Sequence, residues 1–234
     1  MTISNESRGR IRKVFEPIAL GMGRLGLTPD GLTLIGFGIT VVGAVLLQGM
    51  QWLPGGLIVF IGGAFDMFDG TLARATGKVN KLGAFMDSVF DRAGEVIVYI
   101  GIVAGLQLEG YIDAAALAAA AMGAAVMVSY TRSKAEGLGF SPGTGMAAVG
   151  VMPREVRLVI LTIGLVLLGI LGTAVGPDWQ NAGTPLGILC IEIALAIITI
   201  GSIITVIQRI LHVRSQARSA TPPTTHQREH GETT

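Results

Sequence analysis

Four aspartates in an otherwise apolar stretch of this sequence have a spacing that could bring them onto facing helix surfaces. Asp66 and Asp69 are three residues apart, and Asp87 and Asp91 are four apart, so each pair shares one face if both flanks are helical. Ionised carboxylates gathered in a low-dielectric environment repel one another and need cations. Their oxygens suit Mg²⁺ or Mn²⁺, and two such ions about 4 Å apart are the usual partners of a transferring phosphoryl group. The pattern therefore predicts two divalent ions and phosphoryl-transfer chemistry.

Small residues and an arginine accompany the aspartates in the pattern D-x2-D-G-x2-A-R-x8-G-x3-D-x3-D. Gly70, Ala73 and Gly83 would let a ring approach the backbone without a side chain in the way. For Gly83, close packing between membrane helices explains the glycine almost as well. The aspartates could instead be structural ions paired with Arg74 and Arg92, but two arginines do not neutralise four carboxylates.

This pattern resembles the signature of the CDP-alcohol phosphotransferase family, integral membrane enzymes that join a CDP-linked lipid to an alcohol and release CMP. The resemblance implies that Asp66, Asp69 and Asp87 hold the metal ions. It implies that Asp91 both contacts metal and acts as general base. It further implies contacts to the cytidine nucleotide, and the argument from close approach to the backbone adds Ala73 and Gly83 to them. The implied set is Gly70, Arg74 and Asn80, helped by Pro29, Asp30, Gly31 and Leu32.

The acceptor alcohol is indicated by a second resemblance. Residues 129–139 are similar to the equivalent segment of the phosphatidylinositol phosphate synthases of actinobacteria and their archaeal relatives, which use a phosphorylated inositol. A phosphate on the acceptor needs its own cationic pocket. A solvated loop facing lipid headgroups explains any one of the basic side chains about equally well. Glycerol 3-phosphate satisfies the same charge argument and is the alternative acceptor. The residues expected to bind the acceptor phosphate are Arg132, Lys134, Arg154, Arg157 and Arg209.

The composition is that of a membrane protein. Half of the 234 residues are hydrophobic and only 14% are charged, which excludes a water-soluble domain. The expected fold is an all-α integral membrane protein with six transmembrane helices, preceded by an N-terminal interfacial amphipathic helix in which apolar residues recur at three- and four-residue steps. Cys190 stands alone, so no disulfide framework is expected. The predicted spans are about residues 32–50, 55–75, 82–106, 112–130, 158–175 and 184–211.

The predicted spans divide the chain into three parts. Residues 1–27 are expected to form a cytoplasmic N-terminus with the juxtamembrane amphipathic helix, and residues 28–213 the six-helix domain. Residues 214–234 have no apolar face to bury and are expected to be a disordered cytoplasmic tail. Residues 131–157 are the longest polar interruption within the membrane region and are expected to be a loop.

The distribution of basic residues predicts the orientation of the chain in the cell membrane. All 17 lysines and arginines lie near the N-terminus, around the turn between spans 2 and 3, between spans 4 and 5, or at the end of span 6 and in the tail. The other three connections carry only Glu109, Asp113 and Asp178 as charges. By the positive-inside rule, both termini and the aspartate site face the cytoplasm.

The expected partners are CDP-diacylglycerol, an alcohol phosphate, the lipid bilayer and a second copy of the chain, with no nucleic acid. Gly62, Gly63 and Gly201 offer close-packing faces for a homodimer, although the same faces could pack within one subunit. A cation-coupled membrane transporter is the alternative from a different class, because intramembrane carboxylates also build ion pathways. A transporter would more naturally draw its acids from separate repeats, whereas these come from one predicted helical hairpin.

Overall fold

The computed structural model of the chain is built from α-helices. It describes residues 17–140, 146, 149–172 and 185–220, except for the side chains of Asp66, Met67, Ser219 and Ala220, and it contains no strand in these ranges. The helices are α1, described over residues 17–24, α2 (Pro29–Gln48), α3 (Trp52–Ala75), α4 (Lys81–Leu108), α5 (Ile112–Gly137), α6 (Arg154–Leu171) and α7 (Leu186–Ala220).

Side-chain caps fix where two of the site-bearing helices begin. The hydroxyl of Thr28 accepts a hydrogen bond from the Gly31 amide at 3.1 Å and so caps α2, whose first residue is a proline. The side chain of Asn80 accepts from the Gly83 amide at 2.7 Å and caps α4. Such caps satisfy amides that have no partner within the helix. They set the helical register of the residues that follow.

Helix α2 is the shared partner of the two helices that carry the aspartates. It packs along both α3 and α4, which hardly touch each other. Glycines permit this close approach: a Cβ on Gly101 of α4 would meet the Ala44 carbonyl of α2, and a Cβ on Gly43 of α2 would lie 3.0 Å from the Val59 amide nitrogen of α3. The helices α3 and α4 are therefore joined by a short turn but are held apart by α2.

The remaining helices close the bundle. Helix α5 packs against α4 and α7, and α6 packs against α3 and α7. Their contacts meet in one large apolar cluster, which includes Leu47 of α2, Ile102 of α4, Leu165 of α6 and Leu195 of α7, each fully buried. Helix α1 joins a second, smaller cluster through the buried Ala19. The bundle therefore holds the ends of α2 to α7 in fixed relation to one another.

Within the described ranges, four helices are long and apolar enough to cross a membrane, namely α2, α3, α5 and α7. The first half of α4 and the first turn of α6 carry charged residues, which keep both helices out of this set. The expected all-helical integral membrane fold is confirmed. A count of six transmembrane helices remains a prediction, because it requires α4 and α6 to cross as well.

Several boundaries differ from the prediction. Helix α5 continues to Gly137 and α6 begins at Arg154, so both ends of the predicted loop 131–157 are helical. Helix α7 continues to Ala220, into the predicted disordered tail. Charged residues led the prediction to end α5 and α7 too early and to begin α6 too late, because a helix can extend beyond the bilayer with polar faces. Residues 1–16 and 221–234, which hold half of the predicted amphipathic helix and most of the tail, lie outside the described residues.

The glycines expected to support a dimer pack inside the subunit. A Cβ on Gly62 would meet the Thr40 side chain of α2, one on Gly63 would lie 2.5 Å from Leu158 of α6, and one on Gly201 would meet the Met152 side chain. These three positions therefore serve contacts within one chain.

Candidate active site

The first of two cavities in the site lies between the starts of α2 and α4, the end of α3 and the α3–α4 turn. We call it the glycine-lined cavity, and its volume is about 280 Å³. Seven of the nine residues predicted to contact a nucleotide line it. The lining consists of Pro29, Asp30, Thr33, Asp69, Gly70, Ala73, Arg74, Lys78, Val79, Asn80, Gly83, Ala84 and Asp87.

Two glycines keep this cavity open. A Cβ added to Gly70 would lie 3.2 Å from a terminal nitrogen of Arg74, and one added to Gly83 would lie 3.0 Å from a carboxylate oxygen of Asp30. Both distances are tighter than ordinary van der Waals contact. A larger residue at either position would therefore displace a charged group that lines the cavity.

Asp69 is the most firmly held carboxylate of the site. Its residue is only 4% exposed, and its Oδ2 accepts a hydrogen bond of 2.5 Å from the hydroxyl of Thr33 on α2. Its Oδ1 accepts from the Gly70 amide. Hydrogen bonds of this kind fix the orientation of a carboxylate. Each oxygen keeps further lone-pair capacity, so the donor chemistry of Asp69, with Asp87 on the same cavity, fits a hard divalent cation.

The four aspartates were predicted to lie close together, and the structure describes the side chains of only three of them. The Asp66 side chain is not among those described, and its backbone lies on α3, one helical turn before Asp69. Among the side chains that are described, no group of three acidic, histidine or cysteine residues lies close enough to hold a metal ion. The structure brings Asp69 and Asp87 to the glycine-lined cavity, while Asp91 lines its neighbour.

The second cavity is lined by five arginines, and we call it the arginine-lined cavity. It has a volume of about 180 Å³ and is enclosed by α4, α5, α6 and α7. Three carboxylates also line it, so its walls carry two positive charges in excess. The lining consists of Asp91, Arg92, Glu95, Val128, Ser129, Arg132, Pro153, Arg154, Glu155, Arg157 and Arg209.

Two ion pairs connect α4 to α6 across this cavity, one helical turn apart. The outer pair joins Arg154 to Asp91 at 2.9 Å, with side chains that are 34% and 18% exposed. In the inner pair, Arg157 donates to both oxygens of Glu95, each at 2.8 Å, and also to the Met152 carbonyl at 3.0 Å. Arg157 is only 2% exposed. The outer pair is thus open to solvent and the inner pair is enclosed.

The other basic residues of the predicted acceptor set differ in placement. Arg209 is buried and donates to the carbonyls of Val149 and Val128. Arg132 pairs with the Glu136 side chain at 2.9 Å on the exposed face of α5. Lys134 lies outside the arginine-lined cavity and instead borders an apolar groove between α5 and α7. Four of the five predicted residues therefore meet in one cavity, and Lys134 does not.

Two residues of the predicted nucleotide set also lie outside their cavity. The Gly31 amide donates to the Thr28 cap. Leu32 is fully buried in the apolar cluster with Ala19 and Leu72. Because Leu32 is inside an amphipathic helical turn, its side chain points to the core while Pro29 and Asp30 face the cavity.

Three residues that the sequence analysis did not assign contribute to the site. Thr33 binds Asp69, Arg92 lines the arginine-lined cavity, and Glu95 pairs with Arg157. For Glu95 a signal existed, because it lies four residues after Asp91 and so continues the spacing of the aspartates along α4. For Thr33 no spacing rule could have indicated a contact across two helices.

Comparison with known proteins agrees with this site. The sequence matches the family model described as CDP-alcohol phosphatidyltransferase over residues 26–213. A phosphatidylinositol phosphate synthase from Cutibacterium acnes is 32% identical over 214 residues, which cover 88% of this chain and 95% of that protein. The archaetidylinositol phosphate synthase of Pyrococcus horikoshii is 35% identical over 156 residues, which cover 67% of this chain and 78% of that protein.

Crystal structures of a phosphatidylinositol phosphate synthase from Mycobacterium tuberculosis share the fold. The structure with CDP-DAG bound has a TM-score of 0.70 at 26% identity, over 86% of this chain and 94% of that chain. The structure of the same protein in complex with manganese and citrate has a TM-score of 0.69 at 26% identity, over 86% of this chain and 89% of that chain.

Proposed function

The chain belongs to the CDP-alcohol phosphatidyltransferase family, and we propose that it transfers the phosphatidyl group of CDP-diacylglycerol to an inositol phosphate and releases CMP. One observation carries the proposal: α4 places Asp87 in the glycine-lined cavity and Asp91, one turn later, in the arginine-lined cavity. The two residues lie about 6 Å apart along the helix axis. A nucleotide-linked donor and a phosphate-bearing acceptor could therefore meet at this helix.

The glycine-lined cavity is proposed to hold the CDP group. Gly70, Ala73 and Gly83 expose the backbone to the nucleotide, and Arg74 supplies a positive charge near its phosphates. The side chain of Asn80 is held by its cap bond at the cavity wall. Support comes from the relative of known structure, which has CDP-DAG bound.

Two Mg²⁺ or Mn²⁺ ions are proposed as cofactors, held by Asp66, Asp69, Asp87 and Asp91. When bound, such ions neutralise charge on the pyrophosphate oxygens. The hydrogen bonds that fix Asp69 support this assignment, as does the manganese complex of the M. tuberculosis relative. Thr33 would act through Asp69 by holding its carboxylate in one orientation.

Asp91 is proposed to accept the proton of the acceptor hydroxyl. As this proton moves to Asp91, the hydroxyl oxygen forms a bond to the β-phosphorus of CDP-diacylglycerol, and the bond from that phosphorus to the oxygen shared with the α-phosphate breaks. CMP leaves with the bridging oxygen. The ion pair with Arg154 holds the Asp91 side chain at the arginine-lined cavity, where the acceptor is proposed to bind.

The acceptor phosphate is proposed to bind in the arginine-lined cavity. An excess of two positive charges matches a phosphate monoester, whose charge near neutral pH is close to −2. Arg132 and Arg154 are exposed enough to reach a ligand, while Arg157 and Arg209 are held by protein groups and add fixed charge. Glycerol 3-phosphate carries the same phosphate and is the competing acceptor. The relatives named as inositol phosphate synthases favour inositol phosphate.

The two acceptors are separated by one experiment. Detergent-solubilised protein is given CDP-diacylglycerol and Mg²⁺ with radiolabelled inositol phosphate, glycerol 3-phosphate, inositol or serine, and the lipid product and released CMP are identified. Inositol phosphate should be the preferred acceptor, and removal of divalent ions with EDTA should stop CMP release. A glycerol phosphate product would correct the acceptor. An absence of CMP release with every acceptor would favour a transporter.

The protein is a multi-pass membrane protein, and its active site and both termini are proposed to face the cytoplasm of the cell. The described basic residues support this orientation, since those of the α3–α4 turn and those of the arginine-lined cavity lie at the same end of the bundle. The division into residues 1–27, 28–213 and 214–234 and the homodimer also remain proposals. Light scattering of the detergent-solubilised protein would test the homodimer.

A further inference from the structure

Polar residues follow one face of α4 at every fourth position. Asp87, Asp91, Glu95 and Tyr99 are spaced by four residues, so they lie in one row along the helix. The first lines the glycine-lined cavity, and the next two line the arginine-lined cavity. The motif that resembles the family signature ends at Asp91. Glu95 therefore has no role in the chemistry described so far.

Glu95 is the α4 end of a continuous set of hydrogen bonds that reaches α7. Both of its oxygens bind Arg157 of α6, which also binds the Met152 carbonyl. The amides of Val151 and Met152 donate to the Thr205 hydroxyl on α7, at 3.2 and 3.0 Å. Three helices are thereby tied together at the inner wall of the arginine-lined cavity.

The position of Arg157 links these hydrogen bonds to the cavity proposed to bind the acceptor phosphate. Arg157 lies in the first turn of α6, three residues after Arg154, so the two arginines share a face. Arg157 is nearly inaccessible, and a buried guanidinium that loses its carboxylate partner is strongly destabilised. It would then shift toward solvent, and the first turn of α6 would move with it. Arg154 would no longer lie where it meets Asp91 at the front of the cavity.

We propose that Glu95 is a positioning residue for the acceptor phosphate: by binding Arg157 at two points, it holds the first turn of α6 so that Arg154 can reach both Asp91 and the phosphate. The inference rests on the proposed function, because it assumes that the acceptor binds in the arginine-lined cavity. Glu95 does not contact the reacting atoms. Its effect passes through Arg157 and α6.

The test compares two glutamates that line the same cavity. Glu95→Gln removes the charge that holds Arg157, whereas Glu155→Gln removes an equal charge from an exposed side chain at the start of α6. We expect Glu95→Gln to raise the KM for the acceptor phosphate on the order of tenfold and to leave the KM for CDP-diacylglycerol nearly unchanged. Glu155→Gln should have a much smaller effect. Equal effects of the two variants would mean that charge alone matters and would overturn the proposal.

A double-mutant cycle shows whether Glu95 acts through Arg157. If it does, the variant that carries both Glu95→Gln and Arg157→Gln should lose no more acceptor affinity than the worse of the two single variants. Additive losses would show that Glu95 acts on the substrate independently. A rise of both KM values together would indicate a general structural defect. Either result would overturn the proposal.

A binding measurement separates this inference from the proposed function. Inositol phosphate should raise the melting temperature of the wild-type protein in detergent, and Glu95→Gln should reduce this increase far more than Glu155→Gln. If the wild type transfers lipid to glycerol 3-phosphate instead, the acceptor assignment fails and the same comparison is made with that ligand. If the wild type uses inositol phosphate and Glu95→Gln binds it normally, the proposed function stands and this inference fails. If neither phosphate changes the melting temperature or supports turnover, the inference fails with its premise.

Discussion

The two cavities of the site are assembled in opposite ways. The glycine-lined cavity takes its walls from two short segments, residues 29–33 and 69–87, whereas the arginine-lined cavity takes its walls from four helices spread between residues 91 and 209. The first is fixed by helix register, capping and one turn. The second exists only when α4, α5, α6 and α7 pack correctly. If the proposed assignments hold, the donor binds in a cavity built from two short segments, and the acceptor binds in a cavity that depends on the whole bundle.

Asp91 is the proposed general base and lines the arginine-lined cavity one helical turn after Asp87 of the glycine-lined cavity, so its loss should have the largest effect. Asp91→Asn removes the proposed base and is expected to lower turnover by about 10²- to 10⁴-fold. CMP release with saturating substrates measures this, with the elution profile of the purified variant as a check on folding. Turnover near the wild-type rate would remove Asp91 from the mechanism.

Replacement of Arg154 should affect binding of the acceptor much more than binding of the donor. Arg154→Gln is expected to raise the KM for the acceptor by about 10- to 100-fold, because it removes a charged hydrogen-bond donor, while the KM for CDP-diacylglycerol changes little. Steady-state kinetics with each substrate varied in turn provides both values.

Lys134 is the matched control for Arg154, since the sequence predicted the same role for both and the structure places only Arg154 in the arginine-lined cavity. Lys134→Gln should leave the acceptor KM nearly unchanged. If it matches the effect of Arg154→Gln, the cavity does not define the acceptor site. If Arg154→Gln weakens donor and acceptor equally, the division between the cavities is wrong.

Replacement of Thr33 should show how much the hydroxyl that binds Asp69 contributes to metal affinity. Thr33→Val removes the hydroxyl that binds Asp69 at 2.5 Å, and loss of such a partner is expected to weaken metal affinity by about tenfold. Titration of the substrate-free protein with Mn²⁺, followed by electron paramagnetic resonance, measures this directly. Thr33→Ser keeps the hydroxyl and should bind Mn²⁺ like the wild type. Equal affinities for all three proteins would show that Thr33 does not support the metal site.

Replacement of Gly83 should have the smallest effect, and it should change only the KM for CDP-diacylglycerol. A Cβ at this position would lie 3.0 Å from Asp30, and because that carboxylate can shift, Gly83→Ala is expected to raise the KM for CDP-diacylglycerol by only about two- to fivefold. Gly123→Ala on α5 is the control, since nothing lies within 4 Å of its Cβ. A larger change in the acceptor KM than in the donor KM would contradict the assignment of the cavities.

Most residues that the sequence analysis grouped as nucleotide contacts line one cavity in the structure. Gly70, Arg74 and Gly83 were grouped by their short spacing around one turn, and all three line the glycine-lined cavity. The cap of α4 by Asn80 was not predicted, because Asn80 was assigned only as a nucleotide contact. The helices α2 to α7 were also expected in the order in which they occur. Their ends were not, because charged helical turns that extend beyond the apolar segment look like loop sequence.

The contacts between distant elements could not be predicted. The sequence indicated a hairpin of α3 and α4, but it did not show that α2 lies against both, and therefore that Thr33 reaches Asp69. Basic residues were assigned to the acceptor by charge alone, which cannot separate Arg157, held by Glu95, from Lys134, which faces an apolar groove. The packing of the helices determines which of these residues line the cavity, and this packing cannot be inferred directly from one sequence.

The ion pairs between α4 and α6 also bear on how the protein is inserted into the membrane during synthesis. Asp91 and Glu95 leave the ribosome before the arginines that α6 supplies, and a carboxylate at the centre of a membrane helix costs about 2.5–3.5 kcal/mol on insertion scales. A nascent chain that ends after α5 should therefore insert α4 less efficiently than the full chain. Glycosylation mapping of a tag placed between α4 and α5 would detect this, and equal insertion of both chains would show that α4 enters without help from α6.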